Sequence, residues 1–579
     1  MISVALNWIY LFVTIFLTGF GLCAVFYRFF ACHIQKICSI AAVGLMAVTV
    51  YAQVFSLFYK VGFAANLLLT VGCFGIAVVR RKQITEVLLA AWKSKSAAWK
   101  LVMAASIVVW CYCTSRGYMH YDSDLYHAQS IRWIEEYGIV KGLGNIHVRF
   151  AYNSSFFALS ALYSMKFLCG KSLHTINGFL ALMLWMQVME LFRFRRNRNT
   201  LVTDFARAGA FYYLTVIYSD IVAPASDYAI MCVVFFIIIK WLELLENDEN
   251  KAAPYALLCV GGVCAVTLKL TAGLILVLVL KPVFLLVRDK KWRDIGLYFL
   301  LGLIVITPWI ARTAVISGYL LYPFPALDIL DVDWKIDAAA AALDAAEIKT
   351  WGRGLNNAAL VDMPVSEWFQ NWFATLPATG KLFVLADFGC IILFVILIVN
   401  NLFVILKQRR SSAYQENQLE SKQLFVLASV ILSYGFWQLS APLLRYGYAY
   451  VLLVITITAG ILCDMLIKYF QKHQKKDMIK GIAVLGTAAL LVFSAAKGFS
   501  LARYAAAQLP KEAYIWQQDY GIYALESFEE AGSTFYYPVS GDRTGYESFP
   551  ALPRKTKVVL RGETLRDGFC PEHFSDTLP

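Results

Sequence analysis

Apolar runs recur along the whole of this chain, and they limit its fold more than any other feature. Each run has about 17–25 residues, which is long enough to cross a bilayer core of about 30 Å as a helix. The 579 residues are 59% hydrophobic and only 16% charged, a composition that no soluble protein needs. We therefore predict an all-α integral membrane protein with about fourteen transmembrane helices. The predicted spans lie near residues 4–27, 38–58, 62–79, 100–116, 174–192, 207–223, 226–245, 253–268, 270–287, 294–314, 381–406, 423–439, 447–467 and 480–498.

Positive charge is concentrated in short loops between the apolar runs, although the net charge of the chain is +13. This pattern indicates membrane topology and argues against nucleic acid as a partner. Because Lys and Arg favour cytoplasmic loops, the basic clusters predict which ends of the helices face the cytoplasm. The clusters are Arg80, Arg81 and Lys82; Arg193, Arg195, Arg196 and Arg198; Arg288, Lys290, Lys291 and Arg293; Lys407, Arg409 and Arg410; and Lys468, Lys472, Lys475 and Lys476.

One apolar segment, residues 154–168, breaks this alternation if it is counted as a span. It is short and rich in serine, so we interpret it as a juxtamembrane or re-entrant helix on the outer side. All five basic clusters then lie in the cytoplasm, and the polar motifs share the opposite side. These motifs are the loop 117–150, the turn 219–227, Lys269, the loop 315–380, Arg445-Tyr446 and the tail after residue 498. The sequence therefore predicts one active face, directed away from the cytoplasm, with a small outer cap formed by the tail.

Two carboxylates and two imidazoles lie within residues 120–127, where an apolar run ends. Alternate residues of an extended turn point the same way, so Asp122 and Asp124 are predicted to address one target. One possible target is a divalent cation, Mg²⁺ or Mn²⁺, held by Asp122, Asp124 and His127, or with His120. The other is an acceptor hydroxyl that a catalytic carboxylate deprotonates. The simpler alternative is that these residues cap the amphipathic helix that follows, which would lie on the membrane surface.

The turn 219–227 carries Asp220 and Asp227 between two predicted spans. Such a turn is typical of the N-terminus of a helix that is capped by Ser or Asp. Alternatively, the two carboxylates bind substrate, which requires the turn to lie close to residues 120–127.

Cationic side chains interrupt apolar sequence at Lys269, Arg312 and Arg445, and Tyr446 follows the last of these. Each cation can extend to the membrane surface without any function. Alternatively, the group can bind an anion, because Arg holds a phosphate with two hydrogen bonds and Lys acts as a point charge. Arg353 follows Trp351-Gly352 in the long loop 315–380, where tryptophan suits either a membrane interface or stacking on a sugar ring.

The order of these motifs resembles that of the polytopic C-type (GT-C) glycosyltransferase superfamily, over roughly residues 100–460. Asp122 and Asp124 match the acidic motif that its members carry in the first outer loop, and Asp220 or Asp227 matches a second acidic residue in a later turn. The stretch from Trp309 through Pro323 looks like the Trp-x-x-Arg…Ser-Gly-x-x-x-x-Pro stretch of many bacterial members. The chain is also similar to bacterial multi-pass proteins of surface-polysaccharide clusters.

The resemblance implies transfer of a sugar from a polyprenyl-phosphate-linked donor to a glycan, lipid or protein acceptor, at the outer face of a bacterial inner membrane. Asp122 would be the base or a metal ligand, and cations would stabilise the departing phosphate. It also implies an extra three-span unit at 1–99, a catalytic core at 100–467, and a last span with the cap at 468–579. An O-antigen type of polymerase and a lipid-linked glycan flippase are the alternative functions. A flippase would place polar groups at the bilayer midplane, whereas here they gather at one face.

Overall fold

The computed structural model describes residues 1–192, 200–407, 414–508, 513–530 and 532–572, and it is mainly helical. Within these residues, eleven helices are long and apolar enough to cross a membrane, which is consistent with an integral membrane protein. The first ten helices are α1 Ile2–Phe30, α2 Ile37–Phe58, α3 Phe63–Lys93, α4 Ala97–Ser115, α5 Ala128–Glu136, α6 Ser155–Tyr163, α7 Lys166–Cys169, α8 Ile176–Val188, α9 Leu201–Ile217 and α10 Ser226–Glu246. The others are α11 Ala252–Leu268, α12 Leu280–Arg288, α13 Trp292–Ser317, α14 Ala338–Gly352, α15 Val365–Thr375, α16 Ala378–Lys407, α17 Tyr414–Ser440, α18 Leu444–Lys472 and α19 Lys476–Gln508.

Three of the fourteen predicted spans correspond to helices shorter than the eleven candidate spans. They are α8, α9 and α11, with 13, 17 and 17 residues. At 1.5 Å per residue, 17 residues reach only about 25 Å, less than a bilayer core of about 30 Å. The segment at 154–168 forms the two short helices α6 and α7.

The helix that contains the third predicted span, α3, continues past residue 79 and through the basic cluster to Lys93. Arg, Lys, Gln and Glu are good helix formers, so a change from apolar to charged sequence does not by itself end a helix. Two of the basic clusters, at 193–198 and 409–410, lie outside the described residues.

The first two helices pack unusually close together. A Cβ atom at Gly19 would lie 2.0 Å from the carbonyl oxygen of Ile40, and one at Gly44 would lie 1.6 Å from that of Ile15. Glycine is therefore required at this crossing, as is common where apolar helices approach closely. α1 is also joined to the centre of the bundle, because the Asn7 side chain donates to the Tyr163 carbonyl at 2.9 Å. The predicted extra unit thus shares one hydrophobic core with the helices that follow.

α10 lies at the centre of the bundle, where it contacts α8, α9, α11, α17 and α18. Its apolar residues are buried on nearly every side, which fits a helix that is hydrophobic all round. Asp227 stands in its first turn, so the same helix carries a carboxylate at one end of the bundle.

The C-terminal segment adds β structure to the predicted all-α fold. Strand β1, Leu525–Glu530, pairs antiparallel with β2, Ser533–Pro538, and β3, Val559–Leu560, pairs with β4, Phe569–Cys570. The segment packs on α5 and the loop 117–150, where the Gln129 side chain donates to the carbonyls of Gly545 and Ser548 at 3.0 and 2.9 Å. This contact places the segment directly beside the acidic motif.

Candidate functional site

Four segments that are distant in sequence bring Asp122, Asp227, Lys269 and Arg445 together. Nη2 of Arg445 donates to Oδ2 of Asp122 at 2.8 Å, and its Nε lies 3.3 Å from Oδ2 of Asp227. The Lys269 ammonium donates to the other oxygen of Asp227. Arg445 therefore lies between two carboxylates, and one of these is shared with Lys269. We call these four residues, with Arg149, the charged cluster.

Arg149 joins the charged cluster from the 3-10 helix Val148–Ala151, and the sequence interpretation did not single it out. Its Nη1 lies 4.0 Å from Oδ1 of Asp122. The guanidinium also lies over the rings of Tyr126 and Trp351, at 6.0 and 5.8 Å from their centroids. The only sequence signal for Arg149 was its place in the same polar loop as Asp122. The tryptophan brings the loop 315–380 to the edge of the cluster.

His120 and Tyr446 complete the surroundings of Arg445. Nη1 of Arg445 contacts Nε2 of His120, whose Nδ1 lies 3.6 Å from Oδ2 of Asp122. Burial and the neighbouring guanidinium lower the pKa of His120, so the imidazole is neutral at pH 7. The Lys269 ammonium lies 3.4 Å from the centroid of the Tyr446 ring, and the Tyr446 hydroxyl accepts from Arg445 at 3.0 Å. The aromatic ring thus separates and fixes the two cations.

The chain positions the cations by ending helices. α11 ends at Leu268, and Lys269 adopts an extended conformation with φ −159° and ψ 132° before the 3-10 helix Leu270–Val279 begins. Ser154 holds this break by donating to the Leu268 carbonyl at 2.7 Å. Arg445 lies in the first turn of α18, just after Pro442, which cannot continue a helix. Both cations therefore lie at helix ends, where the side chains can converge.

Asp124 is turned away from Asp122, so the prediction that both carboxylates address one target is wrong. Residues Ser123–His127 form a π-helical turn that continues into α5, not an extended turn. Side chains two positions apart in a helix do not face each other. Asp124 instead accepts from the Gly521 N–H at 3.0 Å and from the Tyr523 hydroxyl at 2.8 Å. Burial raises the pKa of Asp124, and its contacts attach the C-terminal segment.

The predicted metal-ligand set of Asp122, Asp124 and His127 is therefore not assembled. His127 is buried, with its Nδ1 3.3 Å from the Ser123 hydroxyl, and burial lowers its pKa to about 3. Among the residues that the structure describes, no group of three or more His, Cys, Asp and Glu side chains is placed to hold a metal ion. Asp122 and Asp227 are both engaged by cationic side chains, an arrangement that does not fit a divalent cation.

Three other predicted substrate-binding residues lie in structural contacts. Asp220 accepts from the Ser219 hydroxyl at 3.2 Å, and burial raises its pKa to about 6. Arg312 is buried, where it donates to the Asn153 side chain at 3.1 Å and contacts the Ser56 hydroxyl. Arg353 donates to the backbone carbonyls of Val361 and Leu439 at 2.8 and 3.2 Å. Its guanidinium also packs on the ring of Trp368.

The matching Trp309–Arg312 stretch is thus structural in this chain. The Trp309 indole donates to the Asn153 carbonyl at 2.5 Å, and the Asn153 side chain returns a hydrogen bond to the Trp309 carbonyl at 2.8 Å. These bonds join α13 to the loop that precedes α6. These bonds hold the segment that carries Arg149, and neither of them involves a residue of the charged cluster.

The charged cluster has an excess of positive charge. Arg149, Lys269 and Arg445 supply three positive charges, and Asp122 and Asp227 supply two negative ones, so the balance within the cluster is 3 − 2 = +1. Asp344 also faces Arg149, and burial raises the pKa of this carboxyl, which favours its neutral form. Asp122, Arg149, Lys269 and Arg445 are all partly exposed, whereas Asp227 is buried. An anion can therefore reach the cations, and the cluster as a whole favours its binding.

Comparison with known protein families gives one result. The family described as "Domain of unknown function (DUF8201)" matches residues 1–452, so the chain belongs to that family. The match includes every residue of the charged cluster. No curated protein matches the chain.

Proposed function

We propose that this chain, a member of the DUF8201 family, is a GT-C-type membrane glycosyltransferase that takes part in surface glycan assembly. It would transfer a sugar from a polyprenyl-phosphate-linked donor to a glycan, lipid or protein acceptor. The observation that carries the proposal is the position of Asp122, a partly exposed carboxylate 2.8 Å from Arg445 and 4.0 Å from Arg149, in the same cluster as Lys269. Such a site combines a proton acceptor with groups that stabilise a departing phosphate.

The charge balance favours a particular donor. A sugar linked through a single phosphate is a phosphodiester with one negative charge, which matches the +1 balance of the charged cluster. The diphosphate form carries two negative charges, so one of them would not be balanced by the charged cluster. Arg445 can hold two phosphate oxygens at once, and Lys269 contributes a point charge beside it. We therefore favour the polyprenyl monophosphate donor.

The transfer step can be written with the residues present. Asp122 takes the proton from the acceptor hydroxyl, and the acceptor oxygen forms a bond to the anomeric carbon of the sugar. The bond from that carbon to the phosphate oxygen breaks, and its electron pair stays on polyprenyl phosphate. The leaving phosphate gains a negative charge, which Arg445, Lys269 and Arg149 stabilise in a partly buried site.

No divalent cation is needed for this step. The carboxylates that would bind Mg²⁺ or Mn²⁺ are already neutralised by Arg445 and Lys269. Transfer is therefore expected to continue in the presence of a chelator, and complete loss that added Mg²⁺ restores would contradict this part of the proposal.

The arrangement of charges along the helices supports an active face outside the cytoplasm of a bacterial inner membrane. α18 begins at the charged cluster, and Lys468 lies 23 residues after Arg445, at about 35 Å along a helix. α3 begins beside the loop 117–150, because the Val61 N–H donates to the Ile134 carbonyl at 3.0 Å, and Arg80 follows about 26 Å further along. Basic residues thus lie at the ends opposite the cluster, as the positive-inside rule requires.

Cysteine labelling tests this orientation. A cysteine that replaces the exposed Tyr118 should react with an impermeant reagent added outside intact cells, and one that replaces the exposed Lys475 should react only after lysis. The native cysteines provide the background measurement. Labelling of both positions from the same side would overturn the proposed orientation.

An assay of purified protein in lipid vesicles tests the activity. The protein receives a panel of synthetic polyprenyl-phosphate sugars with candidate glycan, lipid and protein acceptors, and formation of a new glycosidic bond is measured by mass spectrometry. Bond formation that depends on Asp122 supports the proposal. Movement of the lipid between leaflets without bond formation across the panel would favour a flippase. Linkage of lipid-linked oligosaccharides to one another, with no use of the monophosphate donors, would favour a polymerase.

A further inference from the structure

A cavity of about 460 Å³ lies between α2, α8, α10 and α11. Its walls are mainly apolar, with Leu45, Leu180, Met183, Phe236 and Leu258 among the residues that line them. This volume is in the usual range for a ligand pocket, about 300–1,000 Å³. None of the residues of the charged cluster lines the cavity, although Leu268 in its wall directly precedes Lys269.

The mouth of the cavity lies at the end of the bundle opposite the charged cluster. On α10, Lys240 and Glu243 line the mouth, and they follow Asp227 by 13 and 16 residues, or about 20–24 Å along the helix. The other end is closed by buried Phe156 and Leu268. The cavity is therefore a chamber with one polar end and a long apolar interior, which is the shape that an amphipathic molecule with a chain requires.

Charges at the mouth are balanced. The four charged residues in the lining are Lys36, Lys240, Glu243 and Glu249, two of each sign. Glu243 lies between the lysines, with Oε1 2.5 Å from the Lys36 ammonium and Oε2 2.7 Å from that of Lys240. Lys36 is largely exposed, so a headgroup can approach it from solvent.

Two further charges of opposite sign, Lys281 and Asp248, lie near Glu249, and the buried charge near Glu243 is also paired. Arg207 is fully buried and lies 3.8 Å from Glu243, and it is also paired with Asp204 at 2.6 Å. Its positive charge is therefore balanced by Asp204, and Glu243 remains the central negative charge of the mouth.

We propose that the cavity binds one hydrocarbon chain of a phospholipid with a zwitterionic headgroup. The headgroup replaces the ion pairs that Glu243 forms with Lys36 and Lys240, so that the phosphate contacts the two lysines and the ammonium contacts Glu243 and Glu249. A purely anionic lipid would leave the two carboxylates facing a phosphate, whereas a phosphate with an ammonium complements both signs. The apolar walls stabilise the chain by removing it from contact with polar groups. This inference concerns a second lipid site and does not rest on the proposed transferase activity.

A filling substitution tests the chain-binding part of the proposal. Gly261 lines the cavity, and a Cβ atom there would meet nothing within 4 Å, so Gly261→Phe fills the chamber without a backbone clash. Gly296→Phe is the matched control, since Gly296 on α13 also faces open space and lies outside the lining. Native mass spectrometry measures binding of phosphatidylethanolamine to the purified protein, and a thermal unfolding curve confirms that each variant is folded.

We expect Gly261→Phe to weaken binding by at least about tenfold, the change for roughly two methylene groups kept out of an apolar site. Gly296→Phe should bind as the wild type does. Equal binding by the wild type and a folded Gly261→Phe protein would overturn the proposal.

A charge substitution tests the headgroup part. The wild type should prefer phosphatidylethanolamine to phosphatidylglycerol, and Glu243→Gln should shift that ratio toward phosphatidylglycerol by about fivefold, the effect of one charge near a membrane surface. Glu563→Gln, on the exposed C-terminal segment, should leave the ratio unchanged. An unchanged ratio in Glu243→Gln would contradict the headgroup assignment. Preferential binding of undecaprenyl phosphate over both phospholipids would show that a polyprenyl chain fills the cavity, and the proposal would fail.

Discussion

Asp122 and Asp124 are separated by one residue, yet they lie in opposite kinds of environment. Asp122 is partly exposed and faces the cations Arg445 and Arg149. Asp124 is buried and accepts hydrogen bonds from the neutral groups of Gly521 and Tyr523. A Cβ atom at Gly521 would lie 2.6 Å from Oδ2 of Asp124, so the C-terminal segment approaches it closely.

The difference separates an accessible carboxylate, which we propose takes part in transfer, from an enclosed one that holds the C-terminal segment. The partners of Asp122 are charged and accessible, so an incoming substrate can exchange places with them. The partners of Asp124 are enclosed, and a substrate would have to displace folded chain to reach it. Substitutions at the two positions should therefore fail in different ways, and the following predictions test that difference.

The largest expected effect is on transfer by Asp122→Asn. The substitution keeps the shape but removes the base, so transfer should fall by at least about 100-fold, the lower end for general acid–base groups. The thermal midpoint should stay near that of the wild type, because Asp122 is partly exposed. Asp519→Asn, which removes an exposed carboxylate paired with Lys171, is the control and should transfer normally. Near-normal transfer by folded Asp122→Asn would show that Asp122 is not the base.

A smaller effect is expected from Arg445→Lys. Lysine keeps the charge but cannot form two parallel hydrogen bonds, so the donor KM should rise by about 10–100-fold, the range for hydrogen bonds to charged groups. The acceptor KM should change much less, because only the donor carries the phosphate. Arg543→Lys is a control in the C-terminal segment, where the guanidinium packs over Tyr121 and Tyr523. Equal effects on both substrates would place Arg445 outside the donor site.

Asp124→Ala should affect stability instead of chemistry. It leaves the Gly521 N–H and the Tyr523 hydroxyl without their acceptor, which costs about 1–3 kcal/mol. Limited proteolysis should cut the C-terminal segment faster in this variant, and Tyr523→Phe should show a weaker form of the same change. Transfer per folded molecule should be largely retained. A loss of transfer as large as that of Asp122→Asn, in protein that resists proteolysis, would show that Asp124 takes part in the reaction.

The smallest effect is a dependence on pH through His120. Its pKa is lowered from the ordinary value of 6.5 by burial and by Arg445, so the neutral form is favoured in the folded protein. As the pH falls below 6.5, the unfolded chain gains a proton first and stability declines. His120 is surrounded by Arg445, Asp122, Asp227 and Lys269. When His120 is protonated, its positive charge repels Arg445 and competes with it for Asp122. Transfer per folded molecule should fall by at least about fivefold, since one charge pair at about 4 Å contributes about 1 kcal/mol even in water.

His120→Gln is the matching variant, because its side chain does not titrate. The acid decline in transfer should disappear in this protein, whereas the loss of stability caused by His127, His147 and His174, whose pKa values are also lowered by desolvation, should remain. If the decline in transfer per folded molecule is the same in both proteins, His120 is not its source.

The sequence predicted helices correctly where an apolar run was long enough to cross a bilayer. The eleven candidate spans among the described residues follow the apolar runs, because burial of apolar surface and satisfaction of backbone groups both require helices there. The end of α3 was not predictable in this way, since its charged continuation is also a good helix former.

The site was predictable in part. Asp122, Asp227, Lys269 and Arg445 were singled out as polar groups at the edges of apolar runs, and the structure brings them together. Arg312 has the same signature in sequence, but its partners are uncharged side chains. Arg353, which was singled out in the loop 315–380, donates to backbone carbonyls. Only the tertiary contacts separate the two groups. The direction of Asp124 depended on a π-helical turn, which the pattern of residues does not reveal.

Equilibrium binding of a polyprenyl-phosphate sugar to three folded proteins tests the central claim most directly, because it separates the binding of the phosphate from the chemistry. The account predicts that Asp122→Asn binds the donor at least as tightly as the wild type, since the variant loses a negative charge. It predicts that Arg445→Lys binds the donor much more weakly, as it lacks the paired hydrogen bonds. If Asp122→Asn loses donor binding while Arg445→Lys retains it, the charged cluster does not hold the donor phosphate.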